Sequence, residues 1–344
     1  MPTIPFAKVL QPAMQVLKQL STVQPKEAKL TIGLDIGSST VKVLALGPRK
    51  GSGMRPIVAQ NVVGLEAGQD VDASEAIRTA ISPLQVPLRS VNLSVSGQWV
   101  IMRIVEMPTM KPAEMKQALP FEAQRYLPFN VQDVIIDGVV LGAADAHKSW
   151  VLIVACKKEL IDRRVDWVKR AGLDVALIDV DAVALANALL AAGNGTAAHG
   201  TRAIMNVGAQ QTNVVIFQGA TPYLVRDIPW GGEKLSRAVG EQVGVDPESV
   251  KKELIQSATS PELQGAVKAA SEALVTELQL SFDYFENRFG QPPDTVLVTG
   301  GLSQCAPFLE GLKTHLMRTV TPWSAVEGLS GQFTVAYGLA LRSD

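Results

Sequence analysis

Two short runs hold residues whose types and spacing could do chemistry. In LDIGSSTVKVLAL, an apolar strand reaches Asp35 and turns through Gly37, Ser38, Ser39 and Thr40 before a second strand carries Lys42. The tip of such a hairpin offers one carboxylate, several hydroxyls and converging backbone N–H groups. Glycine lets the chain come close to a ligand, and turn amides gather around anionic oxygens. In MNVGAQQTNVVIF the plan returns: Asp35 falls on Asn206, Gly37 on Gly208, Ser38 on Ala209 and Lys42 on Asn213, an offset of 171 residues. Two matched tips suggest two jaws aimed at a shared cleft and able to clamp a phosphate chain. A third turn, TGGLS at 299–303, follows a strand and leads toward a helix, whose N-terminal end favours an anion.

Strands and helices must aim these turns, and the pattern supplies both. RPIVAQNVVGL, SVNLSVSGQWVIMRIVEMP, VIIDGVVLG, SWVLIVACKK and VALIDV read as strands. ASEAIRTAI, KPAEMKQALPFEAQRYLPF, KELIDRRVDWVKRAG and DAVALANALLAAG read as helices between or after them. NGTAAHGT at 194–201 is the most linker-like run. The second half continues with the strand TPYLVRDIPWGG, the helix GEKLSRAVGEQVG and a helix opening near Asp246. One long helix is expected over GAVKAASEALVTELQLSFDYFENRF, then strand DTVLVTGG, helix APFLEGLKTHL and a short helix in TVAYGLALR. Such alternation implies α/β layers around largely buried sheets.

Bulk composition removes several function classes. A net charge of −1 gives no general pull toward nucleic acid or acidic lipid. Cys156 and Cys305 stand alone, which argues against a disulfide or zinc framework. His147, His199 and His315 are scattered without ligand spacing and read as surface or loop residues. No apolar run is long enough to span a membrane and the first residues do not read as a signal peptide, so a cytoplasmic protein is expected. Residues 1–28 stand apart: Val9, Met14 and Leu17 recur at helical spacing, but Pro5 and Pro12 limit any helix to short pieces. Such a piece packs on the body or docks on a partner or membrane surface. Asp179 and Asp181 read as helix N-terminal carboxylates facing the dipole, and Trp230 as a packing anchor. Tyr126 and Phe129, flanking Pro128, fit either a core or a peptide groove.

On these motifs the sequence resembles the actin and sugar-kinase superfamily. Its signature runs phosphate 1 (LDIGSSTVKVLAL), connect 1, phosphate 2 (MNVGAQQTNVVIF), adenosine (VLVTGGLS) and connect 2 (VAYGLAL). PFEAQRYLPFNVQDVIIDGVVL, VACKKELIDRRVDWVKRAGLDVALIDVDAVALANAL and RDIPWGGEKLSRAVGEQVGV carry a narrower resemblance to the type IV pilus assembly PilM family, a relative of the division protein FtsA. The match covers about residues 30–342.

The resemblance implies an α/β, two-lobed actin-like (ribonuclease H-like) fold with duplicated halves and an FtsA/PilM-type insertion. Subdomain 1A would take 29–95 and 172–193, the insertion 1C 96–171, subdomain 2A 201–225 and 292–344, and 2B 226–291, with 1–28 as an arm outside the match. It also implies ATP with Mg2+ between the lobes. Asp35 would act on the Mg2+ shell through waters. Gly37, Ser38, Ser39, Thr40 and Lys42 would meet phosphate from one side, and Gly208, Ala209, Gln210 and Gln211 from the other. Gly300, Gly301 and Leu302 would approach adenosine, with Gly232 and Lys234 near the ribose or base. A strand-surface role for Lys42 and a solvated helix face for Lys234 are the alternatives. The implied partner is the N-terminal cytoplasmic segment of a PilN-like inner-membrane protein, captured in a groove beside the insertion. The implied location is cytoplasmic, peripheral to the inner membrane.

One departure matters. Phosphate 2 of ATP-hydrolysing relatives starts with aspartate, whereas this chain has Asn206. A carboxamide still hydrogen-bonds, but it accepts no proton at neutral pH. Losing a positioned base costs about 10²–10⁴-fold in rate. The expectation is nucleotide binding with slow or absent hydrolysis. An FtsA-like filament protein at the membrane and a small-molecule kinase of the superfamily are the other readings. The first usually ends in an amphipathic membrane helix, whereas this sequence ends in GLALRSD. The second needs a positioned base for its acceptor hydroxyl.

Overall fold

The computed structural model describes residues 30–49, 54–65, 72–86, 89–192, 200–219, 221–256 and 260–342. The arm expected over 1–28, most of the expected linker and His199 lie outside them. The apolar run before Asp35 forms β1 (Thr31–Ile36), and β2 (Thr40–Leu46) and β3 (Ile57–Gly64) complete an antiparallel trio. Helix α1 (Ser74–Ile81) leads to β4 (Ser90–Val95), which lies parallel to β1. SVNLSVSGQWVIMRIVEMP, expected as one strand, turns at residues 96–99, where Gly97 takes φ +90°. The chain thereby leaves the sheet as β5 (Val100–Pro108) and builds an insertion.

The insertion adds α2 (Pro112–Ala123), β6 (Val134–Ala143), β7 (Lys148–Lys157) and α3 (Lys158–Arg170), with its antiparallel sheet in the order β5-β7-β6. α2 stops at Ala123, short of the expected YLPF run, as its last turn tightens to bonds such as Tyr126 N–H to the Ala123 carbonyl. α3 reaches back to the first lobe, where Val168 packs in a core with Leu34, Val43, Ile77 and Leu93. β8 (Asp174–Val180) then closes the first sheet as β3-β2-β1-β4-β8.

Helix α4 (Asp181–Ala191) crosses to the second lobe, which repeats the plan. β9 (Thr201–Val207), β10 (Thr212–Gln218) and β11 (Thr221–Ile228) form the antiparallel trio. Helices α5 (Gly232–Val243), α6 (Pro247–Gln256), α7 (Pro261–Ala270) and α8 (Glu272–Phe289) follow. β12 (Thr295–Gly300), α9 (Ala306–Leu316), β13 (Thr319–Pro322) and α10 (Thr334–Ala340) complete the lobe. The sheet order β11-β10-β9-β12-β13 mirrors the first. The single long helix expected before Gly290 is divided at Ser271. That residue is fully buried, and its hydroxyl donates to the Val267 carbonyl at 2.7 Å. Its N–H is shared between the Val267 and Lys268 carbonyls, and back-bonding of this kind bends helices.

The lobes meet where α4 and α10 cross. A Cβ on Gly338 would lie 1.9 Å from the Ala184 carbonyl oxygen, and one on Gly33 1.9 Å from that of Ala336. Backbone therefore rests on backbone, with α10 wedged between α4 and β1. Val180, Leu185, Ile204, Phe217 and Leu339 join both lobes in one apolar cluster.

Candidate functional site

Both hairpin tips keep the expected geometry. Gly37 N–H donates to the Thr40 carbonyl at 3.0 Å, and Gly208 N–H to the Gln211 carbonyl at 2.9 Å. Asp35 pairs across its hairpin with Lys42, and Asn206 pairs in the same register with Asn213. The first pair is a salt bridge, with Lys42 Nζ donating to Asp35 Oδ2 at 2.9 Å. The second is neutral, with Asn206 Nδ2 donating to Asn213 Oδ1 at 3.1 Å. Asn213 in turn donates to Asp227 Oδ1 at 2.7 Å.

Asp35, residues 37–40 and Lys42 line one cavity of about 620 Å³ together with Asn206, residues 208–211, Gly232 and residues 300–302. Its size suits a small ligand. It opens at the ends of the two central strands, where each sheet passes from antiparallel to parallel pairing, a usual place for ligands. At Gly300, with φ +87°, a Cβ would strike the Val207 carbonyl oxygen at 2.4 Å and Asn206 Oδ1 at 2.7 Å. The adenosine-side turn is therefore pressed on the second tip. The first amides of α5 are already committed: Gly232 N–H donates to Gly208 O at 2.9 Å and Glu233 N–H to Ala209 O at 2.8 Å. That helix end holds the loop in place.

Lys234 is not brought to the cavity. It is exposed, and its ammonium folds back on the Pro229 carbonyl, as a solvated helix face requires. Its neighbour Glu233 lines the cavity instead. Asp181 opens the first turn of α4, as the dipole reading expects, and has a further role. Its carboxylate makes no cap and accepts from Ser94 Oγ at 2.6 Å, facing the cavity. Burial raises its carboxyl to about 7, with nearby Asp35 pushing the same way and the Ser94 and Ser96 hydroxyls opposing. Asp179 lies at the end of β8 and accepts from Arg342 at 2.7 Å and from the Val180 N–H at 2.8 Å. Burial pushes its carboxyl up and Arg342 opposes the shift. Trp230 is a packing anchor, stacked on Phe308 with centroids 5.9 Å apart.

Sequence reasoning missed several lining residues. Arg164 enters from α3, and its Nη1 donates to the Ile36 carbonyl at 2.6 Å. Lys251, Leu254, Gln304, Ser330 and Gln332, all from the second half of the chain, line it as well. Glu233 stood beside Gly232 in the motif and was within reach of a motif reading. Arg164 and Leu254 carry no local signal at all. Across the cavity floor the lobes touch: Asp227 Oδ2 accepts from Gly97 N–H at 2.9 Å, and Gln211 Nε2 donates to Ser96 Oγ at 3.0 Å. Gln211, expected as a phosphate-loop donor, thus reaches the opposite lobe.

A second cavity, about 770 Å³, lies between the insertion and the second lobe, with residues of β5, β11 and α8 in its walls. Tyr126 opens into it, whereas Phe129 packs on Trp99 at 5.9 Å under the Lys157 ammonium. His147 is exposed and His315 half-buried near Glu272. Among the described residues no group of three or more His, Cys, Asp or Glu is placed to hold a metal ion, and no helix is long and apolar enough to cross a membrane.

Duplicated lobes of matching strand order, with glycine tips facing one cleft and paired helices crossing beneath it, define a two-lobed actin-like protein with an inserted α/β subdomain. The structure of a PilM-PilN type IV pilus biogenesis complex aligns with a TM-score of 0.78 and 22% identity, covering 90% of this chain and 97% of that one. The ethanolamine utilization protein EutJ from Carboxydothermus hydrogenoformans aligns with a TM-score of 0.58 and 15% identity, over 96% and 99% of the two chains. A diol dehydratase-reactivating factor in nucleotide-free form gives 0.52 and 10%, over 91% and 99%. The family model of the type IV pilus assembly protein PilM matches residues 33–344, and the chain belongs to that family.

Proposed function

We propose that this chain is an ATP-binding adaptor of the type IV pilus inner-membrane assembly, one that hydrolyses ATP slowly or not at all. The observation that carries the reading is the pair of matched tips on a single cavity, charged on one side and neutral on the other. Asp35 beside a hydroxyl-rich turn suits Mg2+, a hard cation that takes few carboxylates and keeps several waters. When bound, that ion would supply positive charge that neutralises the phosphates. The amides and hydroxyls of residues 37–40 and the loop 208–211 would hold the phosphates, with Lys42 keeping Asp35 oriented. Residues 300–302 and Leu254 would flank the adenine end, and the Glu233 carboxylate suits a sugar hydroxyl. Asn206, tied to Asn213, offers no base to a water.

The 770 Å³ groove supports a peptide partner. β5 pairs with β7 and β11 with β10, so each presents an edge strand of its sheet toward the groove. Edge strands accept an extended segment by backbone hydrogen bonds, with side-chain pockets adding specificity. The relative solved with PilN points to the cytoplasmic segment of a PilN-like inner-membrane protein as the occupant, which would hold the chain at the membrane.

Denaturing the purified protein and identifying the nucleotide it releases tests the first claim, with a titration of the PilN-like segment beside it. ATP or ADP in near-stoichiometric amount is expected, with turnover about 10²–10⁴-fold below active relatives of the fold. Turnover at their rate, abolished by Asp35→Ala, would refute the slow-hydrolysis reading.

A further inference from the structure

We propose that Arg164 is the residue through which the insertion senses the last phosphate of the bound nucleotide, an assignment that rests on the nucleotide reading above. Arg164 lines the cleft, yet it belongs to α3, which continues without a break from β7. β7 is the central strand of the insertion sheet, and its neighbour β5 borders the second groove, with Val100 opposite Cys156 and Ile104 opposite Leu152. One side chain thus stands in the nucleotide cleft while its backbone belongs to the peptide-binding unit.

The hydrogen bonding of Arg164 is incomplete. A guanidinium carries five N–H donors. Nη1 donates to the Ile36 carbonyl, directly before the Gly37 turn, but Nε is sealed from solvent and has no partner. A buried donor on a charged group left without an acceptor is costly. Trp167 flanks the guanidinium, 5.3 Å from ring centroid to Cζ. Burial pulls the guanidinium down, while Asp181 and Asp35 favour its charged form. Of the other cations lining the cleft, Lys42 is paired with Asp35 and Lys251 with Glu248. Arg164 is therefore a cleft-lining cation with a hydrogen bond to the protein through Nη1 and no ion pair among the described residues.

The two lobes contribute different chemistry to the cleft. Leu254, Gln332 and the 300–302 turn come from the second lobe, whereas Arg164, Asp181 and Ser96 come from the first lobe and insertion. A nucleotide with its base against the second-lobe residues would direct its phosphate tail toward Arg164. On this reading the last phosphate of a triphosphate meets the cleft face of the guanidinium, at the Nη groups rather than the sealed Nε, and a diphosphate leaves that contact unmade. The resulting pull on α3 passes to β7 and so to the groove edge.

The test is calorimetric titration of ATP and ADP, each with Mg2+, into the full chain and into Arg164→Gln and Arg164→Lys. Loss of a charge-assisted bond to the last phosphate lowers the ATP-over-ADP affinity ratio by about tenfold or more in Arg164→Gln, with ADP affinity nearly unchanged. Arg164→Lys keeps the charge without the fork and gives an intermediate ratio; it also serves if the glutamine variant does not fold. A wild-type chain that binds both nucleotides equally, or variants that keep the wild-type ratio, would overturn the assignment while leaving the nucleotide reading intact. A wild-type chain that binds neither would overturn both.

Discussion

The two hairpin tips differ by a formal ion pair. Asp35–Lys42 and Asn206–Asn213 occupy the same register in duplicated sheets, so symmetry of backbone coexists with asymmetry of charge. That match was legible in the sequence, because hairpin partners lie close along the chain and their spacing repeats. The contents of the cleft beyond the hairpins were not. Asp181 is the helix-end carboxylate that the sequence indicates, but nothing nearby in sequence announces that Ser94 and Asp35 surround it. Its environment makes a prediction about pH. With its carboxyl raised from 3.8 to about 7, the folded protein binds this proton more tightly than the unfolded chain. The stabilisation is complete below the unfolded value and is lost as pH rises through 7. The nucleotide-free protein should therefore melt progressively lower between pH 4 and 8. Asp181→Asn should flatten that slope and raise the melting temperature at pH 8, with Asp179 supplying the remaining slope in the same direction. A slope in the variant as steep as in the wild type would remove Asp181 from the account.

At the scale of elements, alternation of strand and helix foretold both sheets, the insertion strands and the short last helix. The failures have physical causes. The helix before Gly290 breaks because Ser271 is buried under α9, where a Cβ on Gly311 would lie 3.2 Å from Lys268 Cα. Such crowding is tertiary and leaves the helical period unchanged. Lys234 was placed by motif, but the direction of a side chain on α5 depends on how the Gly208 loop seats the helix. The crossing of α4 and α10 is likewise invisible in either helix alone, though the small residues there permit it. Gly338→Ala should force these backbones apart. Overpacking of a tight site costs about 1–3 kcal/mol, and contact with a carbonyl oxygen places this variant at the upper end. Urea denaturation at equilibrium measures it; a midpoint equal to wild type would mean the crossing yields freely.

For the whole molecule, two cavities lie on either side of the insertion, one between the lobes and one against β11. If nucleotide and peptide each favour one lobe arrangement, linkage makes the effect mutual: whatever factor ATP adds to segment affinity, the segment adds to ATP affinity. The lobes are also joined at the cavity floor, where Asp227 holds the Gly97 amide and Gln211 reaches Ser96. Gly97 cannot be replaced cheaply, because its φ of +90° is a conformation that L side chains rarely adopt. This bond has a practical consequence. The Gly97 amide proton belongs to the first lobe, but its protection from deuterium belongs to the second, so its exchange rate is a built-in gauge of how often the jaws part. Saturating nucleotide should slow that exchange far more than exchange at Val43, deep in a single sheet. Equal slowing at both would mean the jaws do not part independently of the sheets themselves.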